Sequence, residues 1–175
     1  NVVLFNMNSS GTISNNFNVA STAPGSTYAL GNIAGGAFEY TGISNLDSNG
    51  TLVSGTNSAI YLNGSTVTSA SGATNVAAVA LDGQYTGTVP AGMTAGTDGE
   101  NNGIISLGDG SVGLFGKNGS RVSNKGTITV LNSSAGLMTS GTGSLVTNNG
   151  TINLGAGSQG MVLKDGTTVD NLGTG

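Results

Sequence analysis

From residue 101 onward the chain alternates apolar and polar residues in short bursts, each bounded by glycine, asparagine or serine. Ile105 and Leu107 flank one polar residue, as do Ile128 and Val130, and Ile152 and Leu154. Alternation of this kind predicts short strands with one buried side. The glycine density and the missing 3.6-residue stripe argue against helices. The bursts also recur. "NKGTITV" at 124–130 returns as "NNGTINL" at 148–154, and Gly103, Gly126, Gly150 and Gly173 stand 23, 24 and 23 residues apart. A second element keeps the step in "VGLF" at 112–115, "AGLM" at 135–138 and "QGMV" at 159–162. A third keeps it in "SRVSN" at 120–124, "SLVTN" at 144–148 and "TTVDN" at 167–171.

Three strand-like pieces recurring together predict a stacked repeat, in which each unit buries its apolar side against its neighbours. The expected fold is all-β, a right-handed parallel β-helix (a β-solenoid) with about 23–24 residues per coil. A leucine-rich repeat has a similar length, but its L-x-x-L-x-L-x-x-N pattern is not met. Stacking predicts columns: Ile105, Ile128 and Ile152; Leu107, Val130 and Leu154; Leu114, Leu137 and Met161; Val122, Val146 and Val169. Asn101, Asn124, Asn148 and Asn171 align at a turn, where amides about 4.8 Å apart can form a structural ladder. The glycine two residues further on is expected to serve a left-handed backbone at that corner.

Ahead of residue 101 the pattern loosens. "SNGTLVSGTNSAIYL" at 48–62 reads as a coil with Gly50 in the motif position, and "NSSGTIS" at 8–14 as the opening of an earlier one. Residues 21–40 keep no obvious register. The stretch 83–103, with Pro90 and many glycines, reads as a turn-rich insertion or an enlarged loop on one coil. The organisation expected is less regular coils over 1–47, β-helix coils over 48–82, the insertion over 83–100 and regular coils over 101–175. The chain does not open on methionine, and "NLGTG" at its end reads as another repeat beginning. A longer parent polypeptide is expected.

Composition narrows function more than fold. The 175 residues include 32 glycines, 2 prolines and 7% charged residues, with a net charge of −4. That charge lacks the basic footprint a phosphate backbone requires, so nucleic acid is not an expected partner. Cysteine and histidine are both absent. Thiolate metal sites, a Ser-His-Asp triad and a Cys-His pair are therefore impossible within the chain. No apolar run reaches the length of a membrane-spanning helix. No metal, cofactor or catalytic residue is expected.

The acidic residues nearest one another are Asp98 and Glu100, in the expected insertion and with no basic residue close in sequence. Polysaccharide-active β-helices use paired carboxylates, but solvated loop carboxylates are the expected reading here. Calcium is the alternative for "DGEN" at 98–101 and "GDGS" at 108–111, although the calcium repeat G-G-x-G-x-D is absent. Lys117, Arg121, Lys125 and Lys164 are the only basic residues. The first three form either a small positive face or scattered solubilising charge, the latter being expected. Phe115, Met138 and Val162 alternate with the Leu114 column; if that column points inward, they form an exposed apolar strip. A corner tucked under a loop, or a reversed inside and outside, is the other reading.

The repeats at 101–130 and their echo at 148–175 resemble the passenger repeats of large fusobacterial-type autotransporter adhesins, in which N-x-G-T-I runs followed by x-G-[LM] coil into a β-helix. The resemblance covers about 75 residues and is specific to repeat architecture, not to one adhesin. It implies a segment at the cell surface, anchored to the outer membrane through a barrel encoded outside this segment; the missing histidine, cysteine and convincing carboxylate pair make a non-enzymatic role the expected one. It also implies attachment to a protein or glycan on host cells or other bacteria. Recognition is expected at the irregular parts, 21–40 and 83–100, since loops on a rigid scaffold carry most binding. The alternatives are a purely structural spacer or self-associating filament, and, less favoured, a polysaccharide-active enzyme. Ice binding through threonine arrays would need a regular T-x-T column, which Ile104 and Ser106 interrupt.

Overall fold

The computed structural model describes residues 11–14, 17–19 and 27–171. Gly173, Asn8 and residues 21–26, which figure in the repeats and the irregular part, lie outside them. The described residues form strands and connecting turns, with no helix. The first coil carries β1 (Gly11–Ile13), β2 (Phe17–Val19) and β3 (Thr27–Ala34), and the second β4 (Ala37–Tyr40), β5 (Ile43–Leu46) and β6 (Gly50–Thr56). In the third, β7 (Ala59–Ser69) runs across two faces before β8 (Ala77–Asp82); in the fourth, β9 (Gly99–Leu107) does the same before β10 (Val112–Lys117). The fifth holds β11 (Arg121–Asn124), β12 (Thr127–Val130) and β13 (Ala135–Ser140), and the sixth β14 (Leu145–Asn148), β15 (Thr151–Leu154) and β16 (Gln159–Lys164). β17 (Thr168–Asn171) opens another turn.

Successive coils pair in parallel, which makes the chain a parallel β-helix of about 6 turns with three faces. Face one stacks β1, β4, the start of β7 and of β9, β11, β14 and β17. Face two stacks β2, β5, the ends of β7 and β9, β12 and β15. Face three stacks β3, β6, β8, β10, β13 and β16.

Parallel register places equivalent residues about 4.8 Å apart along the axis, so the core is built of columns. Ile105 pairs with Ile128 and Ile128 with Ile152. Leu114, Leu137 and Met161 stack on face three, and Val122, Val146 and Val169 on face one. Ile105, Leu114, Val122, Ile128, Leu137 and Val146 have no exposed surface. Leu154 and Val169, the last described residues of their columns, are 47% and 50% exposed. In these regular coils the columns change little in volume, because neighbours above and below leave little slack.

The repeating glycine serves a different purpose from the one expected. Gly103, Gly126 and Gly150 do not adopt the left-handed conformation. A Cβ at Gly126 would instead collide with the Gly103 carbonyl oxygen, and one at Gly150 with that of Gly126. Two backbones approach at this corner too closely for any side chain. The left-handed corners lie elsewhere and are held mostly by asparagine and glycine: Asn49, Asn57, Asn75 and Asn118 have φ of 60°, 48°, 56° and 53°. Asparagine tolerates that region better than most residues.

The first half also departs from expectation. Gly50 starts β6 on face three, and Gly11 starts β1 on face one, so neither occupies the position of Gly103. The true counterparts are Gly42 and Ser65, just ahead of the paired Ile43 and Thr66. Within the stretch expected to lack register, β3 and β4 pair with β6 and β7, with one irregularity between Tyr28 and Gly31. An asparagine-glycine-threonine burst suits any corner of the solenoid, so local pattern does not say which face follows it.

Ile128→Ala should cost about 2–5 kcal/mol in urea unfolding, against a smaller loss for Ile152→Ala in the half-open last coil. Gly126→Ala should cost about 3 kcal/mol or more because coils must part. Gly157→Ala, at φ 68° where a Cβ would meet only the Ser133 hydroxyl at an ordinary 3.8 Å, should cost only about 1–2 kcal/mol. Equal losses at the two glycines would contradict the close-approach argument. Burial pushes the core phenol of Tyr40 above its ordinary 10.0, the Ser44 side chain opposing. Its contribution to stability is therefore full below pH 10 and lost as pH rises through the folded value. Tyr40→Phe should flatten that alkaline fall in a series of melts.

Candidate functional site

The asparagine column lies inside face one. Asn101 Nδ2 donates to Asn124 Oδ1 at 2.8 Å, Asn124 Nδ2 to Asn148 Oδ1 at 2.9 Å, and Asn148 Nδ2 to Asn171 Oδ1 at 3.4 Å. The amides also bond the backbone at the corner: Gly103 N–H donates to Asn101 Oδ1 at 3.1 Å, and Asn124 Nδ2 reaches the Thr151 carbonyl at 3.3 Å. Asn101, Asn124 and Asn148 are buried. Earlier coils carry Leu62 and Tyr40 in this column, so the ladder begins at Asn101. With donors and acceptors consumed inside, these amides offer nothing to a ligand.

A second ladder went unnoticed in the sequence. The Ser111 N–H donates to Ser134 Oγ, and the Ser134 N–H to Ser158 Oγ, each at 3.0 Å. These serines recur at the same intervals of 23 and 24 residues, and that spacing was the signal. It ties together the corner between faces two and three.

One corner breaks the regularity. Faces three and one are joined by residues 118–120 in the fourth coil and 141–144 in the fifth, but by residues 83–98 between β8 and β9. This strap folds over the outer side of face one. There Ala37, Ala59 and Tyr61 point outward and form a small apolar cluster with Met93 of the strap, with Tyr85 and Val89 packed against it. Asn102 Nδ2 donates to the Tyr61 hydroxyl at 3.1 Å beside it.

Asp98 and Glu100 anchor the strap. Both are fully buried, not solvated as the sequence suggested. Asp98 accepts the Tyr85 N–H at 2.8 Å on Oδ1, and on Oδ2 the Arg121 N–H at 2.7 Å and Arg121 Nε at 3.4 Å. Glu100 Oε2 accepts the Thr94 N–H at 3.2 Å. The Lys125 ammonium stands 3.2 Å from Oε1 without an aligned hydrogen bond. The carboxylates thus bind the strap's beginning, middle and end to the next coil.

The same stacking overturns the reading of the basic residues as scattered. Lys117 pairs with Asp82 at 3.0 Å, Arg121 with Asp98 and Lys125 with Glu100. Each cation meets an acid contributed by the preceding coil or its strap. At the exposed pair, Asn118 first and Lys117 second hold the Asp82 carboxyl below its ordinary 3.8.

With their oxygens turned to main-chain amides and cations, Asp98 and Glu100 are not presented to a substrate. Asp109, the other calcium alternative, accepts the Asn132 N–H at 2.9 Å. Among the described residues no three acidic side chains gather around a common point. Phe115, Met138 and Val162 lie on the outer side of face three, half-buried beside the inward Leu114 column.

The strap also creates a concave surface. Between it and the first two coils lies an open cleft of about 580 Å³. Ala37 and Glu39 of β4 and Gly11 and Thr12 of β1 line one side, with Tyr85 and Pro90 opposite. Glu39 is half-exposed; Oε2 accepts Thr12 Oγ1 at 3.0 Å and Oε1 accepts Asn63 Nδ2 at 2.6 Å. In comparisons with known protein families, curated proteins and solved structures, the chain matches none.

Asp98→Ala should cost about 3 kcal/mol, since it leaves buried donors unanswered, and should open the strap to limited proteolysis. Arg121→Ala should cost less, because the shorter bond comes from the Arg121 main chain and persists. A strap equally resistant in wild type and Asp98→Ala would remove Asp98 as its anchor.

Proposed function

We propose that this chain is a non-enzymatic, surface-exposed adhesin segment of an autotransporter passenger, and that the strap at 83–98 is its recognition element. The observation that carries the reading is the strap itself. Among the described residues the strap is the longest connection of the solenoid, secured by two buried carboxylates and an apolar cluster, and it raises a cleft on face one. Insertions mounted on rigid scaffolds are the usual seat of binding. The engagement of Asp98 and Glu100 in anchoring supports a binding role over polysaccharide cleavage. The attachment target is a protein or glycan on a host cell or another bacterium, and the anchor is an outer-membrane barrel encoded outside this segment.

A spacer or self-associating segment is the second reading, favoured by the regular stacking of β11 to β17, which carries no insertion. The two readings separate in a cell-binding assay with the chain displayed on beads. Tyr85→Ala combined with Val89→Ser should lower attachment about tenfold while circular dichroism retains the β spectrum. Undiminished attachment by that variant, or none by the wild type, would assign the segment to the spacer class.

A further inference from the structure

The cleft beside the strap holds a charge that no described residue balances. Three of the four basic side chains pair with Asp82, Asp98 and Glu100. The fourth, Lys164, lies on β16, four coils from Glu39. Among the described residues the hydrogen-bond donors to Glu39 are Thr12 and Asn63, both neutral. Glu39 therefore faces the cleft as a carboxylate without a counter-ion, held in place by two side chains and set beside the apolar Ala37 and Pro90. A carboxylate oriented by neighbours and flanked by low-dielectric wall attracts a cation more strongly than one free in water.

We propose that this cleft is a docking site for a basic side chain, lysine or arginine, of a partner protein, with Glu39 as counter-charge and Tyr85 as the wall along its aliphatic stem. The proposal rests on the recognition role given to the strap and names the chemistry that role uses. Cleft size agrees with it: about 580 Å³ admits a long side chain with its flanking backbone. Charge decides between ligand classes. A neutral sugar would offer Glu39 only neutral hydroxyls, whereas an ammonium or guanidinium makes charge-assisted bonds roughly twice as strong. The chain's net charge of −4 adds long-range attraction for a basic partner. Lysine and arginine stems also cover apolar surface while keeping the charged head on the carboxylate.

The test uses the full chain and four small probes: the acetylated amides of lysine, arginine and glutamine, and a methyl galactoside. Amide chemical shifts of Thr12, Glu39 and Tyr85 report binding. The two basic probes should shift these residues, and salt raised from about 0.01 M to about 1 M should weaken binding strongly, as the screening length falls from roughly 30 to 3 Å. Glu39→Gln, nearly isosteric with the native residue, should weaken binding about tenfold. Shifts from the galactoside and not the basic probes would overturn the proposal in favour of a glycan site. Equal binding by the glutamine probe, indifference to Glu39→Gln, or no shift with any probe would also overturn it. Bead attachment separates the two levels. Loss with the Tyr85 and Val89 variant but not with Glu39→Gln leaves the strap as recognition element and removes the cation site. Probe binding abolished by Glu39→Gln, with attachment unchanged in every variant, keeps the site and removes the adhesin reading.

Discussion

The structure depends on the close parallel stacking of one coil on the next. Main-chain hydrogen bonds hold successive coils about 4.8 Å apart around the solenoid. Any atom projecting along the axis between them meets backbone. That constraint excludes a side chain at Gly126, where the carbonyl of Gly103 occupies the place of a Cβ. In the regular coils it also favours interior residues that match their neighbours in volume, isoleucine over isoleucine and valine over valine. Polar groups taken into the stack must find partners along the axis. Asparagine and serine do so, because each has a donor and an acceptor to offer its two neighbours.

The same constraint explains how a chain with few charges uses them. A residue's nearest non-local neighbour lies one coil away, so an acid and a base separated by a whole coil become adjacent. Arg121 thus reaches Asp98 at a separation of 23 residues. Lys117 reaches Asp82 across the longer turn that contains the strap, a separation invisible to any search for local ion pairs. The pairs differ in consequence. Lys117 and Asp82 are both substantially exposed and are worth little to stability. Asp98 is wholly buried, and its value lies in keeping the strap docked.

Among the described residues the strap is the longest departure of the solenoid from repetition. Its apolar residues would be a liability on a polar rod without a surface to cover, and the chain supplies one by placing Ala37, Ala59 and Tyr61 outward on face one. The cleft is a by-product of this packing: a segment laid over a flat sheet leaves a concavity along its margin. Rigid coils beneath and buried anchors at its end make the concavity a preformed one, which lowers the ordering cost of binding.

Much of the architecture could be read from the sequence, because it follows from local alternation and its recurrence. The bursts around Ile105, Ile128 and Ile152 carry the strand period and the coil length, and their inward sides are the buried ones. The serine recurrence was equally legible and overlooked. Tertiary structure alone decided three matters. It assigned the glycine-containing bursts at Gly11 and Gly50 to their faces, since alternation is the same on every face. It gave Gly126 its reason, since the collision is with the coil below and not with its own neighbours. And it joined Asp98 to Arg121 and laid the strap over Tyr61, contacts that exist only once distant turns are stacked. The sequence by itself determined the period and the inward side of each regular strand, which are properties of a few consecutive residues. The site was left to the stacked coils, because the contacts that fix the strap on the solenoid, Asp98 to Arg121 and Met93 against Tyr61, each join residues at least 23 apart.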